Sequence, residues 1–346
     1  MRAVMAEQYG GPEVLHLTEV TEPRPGPGEV TVRVEAAAVG LIDVLFRRDG
    51  LNGLVGVPFI PGIEVAGRIA EVGLGVGGWV PGQRVVTMSR PGTAGYAEVV
   101  VVPVNVVLPL GPEDGIQAET AVATVPNTVT ALAALGEAAR LRAGERVLVL
   151  GATGGLAGVF PAVAHMLGAG EVVGAVSRAA SIQDARALGY DDVVLIENLS
   201  GSQAWFDVVV DPIGGPLRAT ALSLLRPLGR LMAVGNASDA DQLMVGTTDI
   251  WLNNVGVVGL NIAALIEAEP ERVQALAARA VELVRSGEVL VPVEAVPLHA
   301  AADAHRRLEN REVRGRIVLT PSPIAGVIDG APAAAPGSRA GTRSSP

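Results

Sequence analysis

Read for alternation of apolar and polar positions, the chain falls into two unlike parts. In the first third, Val14-Leu15-His16-Leu17-Thr18-Glu19-Val20 and Glu29-Val30-Thr31-Val32-Arg33-Val34-Glu35 repeat with a period of two. That period belongs to strands half-buried against a core. Residues 64–72, 84–88 and 97–102 read as further strands, and Gly and Pro clusters at 23–28, 73–78 and 81–82 supply the turns between them. Many short strands so punctuated predict a small barrel-like β domain.

Near residue 119 the pattern changes. Residues 118–136 are rich in Ala, Thr and Leu and predict a helix starting near Pro126. Short apolar runs at 146–150, 171–176, 192–196, 206–211, 230–234 and 255–260 then alternate with helix-forming stretches at 156–167, 181–188, 215–225 and near 249. Six strands with intervening helices predict an α/β, doubly wound parallel sheet. A helix at 270–286, a strand at 291–296, a helix at 299–309 and a strand at 315–319 follow. Residues 321–346 have little to bury and read as a disordered tail.

Composition narrows the chemistry. The 346 residues are enough for two domains with large cores. The mean hydropathy of +0.41 is high, yet no apolar run reaches the roughly 20 residues of a membrane span. The start, Met1-Arg2-Ala3-Val4-Met5-Ala6-Glu7, lacks a signal-peptide core. A cytoplasmic protein with no membrane partner is expected. A net charge of -10 argues against nucleic acid, whose phosphates call for cations. Every Lys/Arg position is Arg, which excludes a Schiff-base lysine and a Walker-type phosphate lysine. With no Cys, thiolate catalysis and Cys-ligated zinc are excluded. His16, His165, His299 and His305 fall in no metal-ligand spacing and read as surface or packing residues, so no metal is expected.

The run at 146–150 leads into Gly151-Ala152-Thr153-Gly154-Gly155-Leu156-Ala157-Gly158. Strand, glycine turn and helix in that order suit a nucleotide's pyrophosphate. Glycines let the backbone come close, and the first amides of the helix face the charge. Gly151, Gly154 and Ala157 hold the dinucleotide spacing, with Ala157 small enough for close helix–strand packing. Pro161 should strain or kink the helix that follows. The second strand ends in Ala175-Val176-Ser177-Arg178, with no acid for a ribose 2′-hydroxyl. A guanidinium beside a hydroxyl suits a 2′-phosphate, so NADPH is expected over NADH. An arginine solvated in a loop is the other reading.

Several local patterns occur in order: Gly62-Ile63-Glu64-Val65-Ala66-Gly67, Val80-Pro81-Gly82-Gln83-Arg84-Val85, Gly95-Tyr96-Ala97-Glu98, Pro126-Asn127-Thr128-Val129-Thr130-Ala131, Leu141-Arg142-Ala143-Gly144-Glu145-Arg146-Val147, Asp211-Pro212-Ile213-Gly214-Gly215 and Gly315-Arg316-Ile317-Val318-Leu319. The series, over residues 1–320, resembles the zinc-free quinone oxidoreductase (zeta-crystallin-like) branch of the medium-chain dehydrogenase/reductase superfamily. The resemblance implies a GroES-like catalytic domain from residues 1–124 and 262–320, around a Rossmann NADPH-binding domain at 125–261. It implies hydride delivery to a quinone or an activated C=C (enone or enoyl), and a homodimer formed through the edge strand near 255–260. The zinc branch carries Gly-His-Glu where this chain has Ile63.

By the same resemblance, Thr130 approaches the nicotinamide end, and Gly235, Asn236, Gly259 and Asn261 line its other side. With Gly151, Thr153, Gly154, Gly155, Leu156, Ala157, Ser177 and Arg178 they form the expected cofactor site. Thr130 equally reads as a polar residue of its own helix. On the substrate side, relatives commonly read Val-Asn-Phe-Ile-Asp with a Tyr two residues later, whereas this chain reads Val39-Gly40-Leu41-Ile42-Asp43-Val44-Leu45. Gly40 and Leu45 therefore predict a roomier, more apolar pocket, which Phe46, Tyr96 and Trp251 are candidates to line. Asp43 and Thr130 are the candidate catalytic residues, although Asp43 also reads as a loop brace and water is an alternative proton source. A polyketide-tailoring reductase fits this pattern. A carbonyl reductase, a redox-neutral relative and a nucleotide-binding non-enzyme are the rivals.

Overall fold

The computed structural model describes residues 1–111, 115–201, 205–238, 240 and 243–321, so the expected disordered tail lies, past Pro321, outside the described residues. Its first sheet is organised by the ten-residue strand Glu29–Ala38, buried at seven of its ten positions. That strand pairs antiparallel with Val65–Val72, Val99–Pro103 and the C-terminal Arg316–Thr320. Register shifts at Thr31/Val32 and Val34/Ala36 bend it so that it can serve three neighbours. Arg84–Thr87 and Val107–Pro109 extend one side and Val293–Pro297 the other, giving the seven-stranded sheet. The GroES-like unit is thus closed by both ends of the chain. A hairpin of Arg2–Ala6 with Leu15–Glu19 packs beside it; Arg2–Ala6 is too short to alternate visibly.

The second sheet is parallel and six-stranded, in the order Asp192–Leu195, Glu171–Val176, Arg146–Leu150, Phe206–Asp211, Leu225–Ala233, Gly256–Gly259. All six strands stand where the apolar runs put them. Phe206–Asp211 is buried at every residue, as a strand covered on both faces must be, which is why it reads as a continuous apolar run. The strand order reverses between Arg146–Leu150 and Phe206–Asp211, which opens a crevice at their carboxyl ends. The glycine turn lies there. Gly256–Gly259 is the sheet's edge, and the helix before it, Thr247–Asn253, leaves Trp251 73% exposed.

Three local expectations need correction. The helix expected from Pro126 begins at Ala118 and runs to Leu132, with Pro126 inside it; a proline limits a helix less strictly than local pattern suggests when both ends are held by packing. The stretch 156–167 is a single tight turn, Ala157–Val159, followed by a helix at Phe160–Met166. Pro161 therefore falls in the first helical turn, where a missing N–H costs nothing, and no kink follows. Residues 41–53, to which the periodic pattern assigns no element, form the helix Leu41–Gly53, and Asp43, read as a loop brace, lies in its first turn. Its Gly50 and Gly53 hid it from the sequence pattern. Among the described residues no helix is long and apolar enough to cross a membrane.

Candidate functional site

One side of the crevice is made of backbone. Gly151 holds φ +65°, a conformation that costs a side chain about 1–2 kcal/mol, and a β-carbon there would stand 3.1 Å from Ile213 Cδ1. The amide of Gly154 donates to the carbonyl of Gly151, and that of Gly158 to Gly154, each at 2.8 Å. Asn127 Nδ2 donates to the Gly155 carbonyl at 3.0 Å and so ties the turn to the helix Ala118–Leu132. Tyr190 Oη donates to the carbonyl of buried Ala157, while Thr153 and Leu156 are half-buried at the rim.

The ends of the next two strands are clamped by Asp211. Its Oδ1 accepts from the amides of Ile213 and Gly214, both at 2.8 Å, and its Oδ2 from Arg218 Nε at 2.6 Å. Arg218 in turn donates to the Gly235 carbonyl at 2.8 Å. Asn236 packs where a side chain on Gly214 would be, its Oδ1 only 2.1 Å from that position. The remaining expected cofactor residues have local partners. Asn261 caps the helix Ile262–Ala268 by accepting from the amides of Ala263 and Ala264. Thr130 Oγ1 donates to the Pro126 carbonyl at 3.0 Å within its own helix. A β-carbon on Gly259 would meet open space. Ser177 and Arg178 are exposed at the end of the second strand, and Arg178 Nη2 donates to the carbonyl of Arg311 at 2.8 Å.

The other side is made of side chains. Buried Asp43 accepts from the amide of Gly40 at 2.9 Å and from that of Gly62 at 3.0 Å. Glu64, also buried, receives Arg316 Nη2 at 3.0 Å and the hydroxyl of Ser89. Arg316 connects the two sides, since a β-carbon on Gly155 would stand 3.1 Å from its Cγ and Cδ. Glycine at 155 is what allows the arginine stem to lie across the turn. Behind Asp43, Tyr96 Oη and His305 Nε2 are 2.9 Å apart in an edge-on ring contact. Fully buried Arg47 pairs with Glu309 at 2.5 Å.

Burial dominates the protonation of this cluster. Desolvation lifts the Asp43 carboxyl to about 7, with the nearby Glu64 charge adding to it and the Gly40 and Gly62 amides opposing it. Desolvation and the Asp43 charge push the Tyr96 phenol well above its ordinary value. Desolvation, then the charge of Arg47, lowers His305 to about 3, so it is neutral.

Phe46 lines a cleft of about 160 Å³ with Phe59, Ile60, Gly62 and Ile63. Leu45 is buried beside it in sequence, and Tyr96 is wholly buried. A β-carbon at Gly40 would stand 3.3 Å from Asp43 Oδ2, 3.5 Å from Ile42 Cγ2 and 3.8 Å from Arg316 Nη2, so residue 40 is closely packed against a carboxylate, a methyl group and a guanidinium. Trp251 stands on the outer surface near the sheet edge. The pattern missed Glu64, Arg316 and His305 as members of one cluster. A signal existed: Arg316 opens the otherwise apolar run Arg316-Ile317-Val318-Leu319, and a charge so placed needs a partner. Among the described residues no group of three or more His, Cys, Asp or Glu side chains is placed to hold a metal ion.

A GroES-like barrel built from both chain ends, joined to a doubly wound sheet with a glycine turn at its switch point, defines a medium-chain dehydrogenase/reductase. Residues 26–113 match the alcohol dehydrogenase GroES-like domain, and residues 188–319 the zinc-binding dehydrogenase family. A quinone oxidoreductase of Pseudomonas aeruginosa is 31% identical over 327 residues, 90% of this chain and 97% of that protein. The Escherichia coli quinone oxidoreductase complexed with NADPH superposes with a TM-score of 0.81 at 27% identity, covering 93% of this chain and 100% of that one. Mycobacterial Rv1454c complexed with NADPH gives 0.84 at 26% identity, again covering 93% and 100%. The chain belongs to the quinone oxidoreductase family, the zeta-crystallin-like branch of that superfamily.

Proposed function

We propose that this protein is a zinc-independent, NADPH-dependent reductase acting on a quinone or an activated C=C bond. The observation that carries the reading is the glycine turn at Gly151–Gly155, entered through left-handed Gly151 and set at the switch point with Arg316 laid across it from the barrel. The residues fit the cofactor. Glycine at 151 and 155 admits a pyrophosphate, Arg316 supplies a cation beside it, and Ser177 with Arg178 replaces the acid that would reject a 2′-phosphate. NADPH, when bound, supplies a hydride. The protein's part is to orient the acceptor against it, exclude water, and stabilise charge developing on the acceptor oxygen. Arg316, whose Nη2 stands 3.8 Å from a β-carbon at residue 40, is the cation on that side.

The NADPH-complexed relatives support the cofactor. A phenolphthiocerol/phthiocerol polyketide synthase subunit of Mycobacterium tuberculosis, 30% identical over 91% of this chain though over only 14% of that protein, supports a polyketide-tailoring role. A homodimer through Gly256–Gly259 is part of the proposal, supported by that strand's place at the sheet edge and by exposed Trp251, Leu252 and Val257 around it. Following NADPH absorbance with a panel of quinones, enones and enoyl thioesters tests the activity. Turnover is expected with at least one class. NADPH binding without turnover on any of them would return the protein to the non-enzyme reading.

A further inference from the structure

We infer that the apolar cleft at Phe46 seats the ring of the acceptor and selects an uncharged acceptor of one six-membered ring, such as a benzoquinone or a cyclic enone, over fused-ring quinones. The inference rests on the reductase reading above and names the acceptor class of that reading.

The cleft is a built space. Its lining, which includes Phe46, Val55, Phe59, Ile60, Ile63 and Ala94, has no charged or polar side chain among the described residues. Every wall is fastened through the backbone. The amides of Arg90, Gly95 and Tyr96 donate to the carbonyls of Ile63, Gly62 and Pro61 at 3.2, 2.8 and 2.9 Å, which joins the two loops of the floor. Phe59 exchanges both backbone hydrogen bonds with Ala6, at 2.9 and 3.0 Å, and the Val55 carbonyl accepts from Tyr9 Oη at 2.6 Å. Ala94 holds φ +58° in the floor, a conformation that a residue with a side chain keeps only where its surroundings impose it. Segments tied down in this way form a pocket before any occupant arrives.

Size and chemistry then choose the occupant. The cleft holds about 160 Å³, and a space of roughly 150 Å³ lined by Leu, Ile and Phe takes up one benzene. A second fused ring exceeds it. A carboxylate or phosphate would lose its water there and find no partner. The chain has neither Cys nor Lys, so no thiol or side-chain amine stands ready to add to an electrophilic ring. Position agrees as well. Gly62 and Ile63 line the cleft, the next residue, Glu64, receives Arg316 Nη2 at 3.0 Å, and the stem of Arg316 lies against Gly155. The cleft is thus on the barrel wall that meets the nucleotide turn. A benzoquinone that accepts the hydride of NADPH and one proton from solvent becomes the hydroquinone, and NADP⁺ is left.

The first arm of the test needs neither cofactor nor turnover. Ligand-observed NMR on the protein without nucleotide should show saturable binding of benzene, displaced by 2-cyclohexenone and lost in Ile63→Trp, which fills the cleft from its half-buried rim. In the second arm, with NADPH, kcat/KM for methylbenzoquinone should exceed that for menadione, its two-ring counterpart, roughly tenfold. Phe59→Ala widens the cleft and should bring the two values together. The inference falls if benzene does not bind saturably, if Ile63→Trp binds it as the wild type does, or if one-ring and two-ring quinones are reduced equally well. Should Ile63→Trp fail to fold, judged by loss of NADPH binding, the Phe59→Ala comparison decides. A wild-type protein that binds benzene and NADPH but reduces no acceptor overturns the reductase reading instead, and the cleft then stands as a site for an uncharged ring alone.

Discussion

The two walls of the crevice are built on opposite principles. The nucleotide wall is backbone, shaped by glycines close together in sequence and stiffened by local bonds such as Gly154 to Gly151. The barrel wall is side chain, a set of charged and aromatic groups buried together although they come from distant strands and helices. Backbone recognition tolerates little change at a few positions and is indifferent to the rest. A buried polar cluster depends on all its members at once, because removing one leaves another unpaired.

The sharpest way to break the contrast is Arg316→Met. Glu64 would then be buried without its cation, and stability is expected to fall by about 3–5 kcal/mol in denaturant unfolding. A loss within experimental error would show that the barrel wall is not a coupled cluster.

A pH experiment separates its members. The folded state holds a proton on Asp43 up to about 7, against an ordinary 3.8, so this group lowers stability as pH rises between those values. His305 sits at about 3 when folded against 6.5 ordinarily, so stability from it is full above 6.5 and is lost as pH falls toward 3. Between 3.8 and 6.5 the folded state carries one extra proton on Asp43 and lacks one on His305, and the two slopes cancel. His305→Asn should expose a fall of roughly 1.4 kcal/mol per pH unit across that window, and Asp43→Asn a rise of similar size. Flat profiles in both variants would refute the opposed titrations.

On the nucleotide wall, Gly151→Val forces a β-branched residue to φ +65° against Ile213. The strain of about 1–3 kcal/mol should reshape the turn and weaken NADPH binding some ~10- to 100-fold by titration, against no change if the turn is only structural. Arg178→Ala is expected to have the smallest effect, roughly a tenfold loss of NADPH affinity with NADH affinity unchanged. Equal losses for both nucleotides would remove Arg178 from the 2′-phosphate site.

The same division explains what could be read in advance. The six strands of the parallel sheet were visible because each is a local apolar run, and the glycine turn because its spacing is local too. The helix Leu41–Gly53 was missed since Gly50 and Gly53 lower its propensity, and it is held by packing and by Asp43 bonding back to Gly40. Pro161 was misjudged for want of the helix start, which tertiary packing shifted to Phe160.

By itself, then, the amino-acid order determined the two-part architecture, the glycine turn and a strand end without an acid, because each is written in neighbouring residues by period, conformational freedom or charge. Only the tertiary structure decided that Arg316 pairs with Glu64 across 252 positions and Tyr96 with His305 across 209. It also decided that Asp43, which the sequence offers as a candidate catalytic residue or a loop brace, is buried among them. Closing the barrel with the C-terminal strand brings these groups together, and no local pattern encodes the low-dielectric space that changes their chemistry.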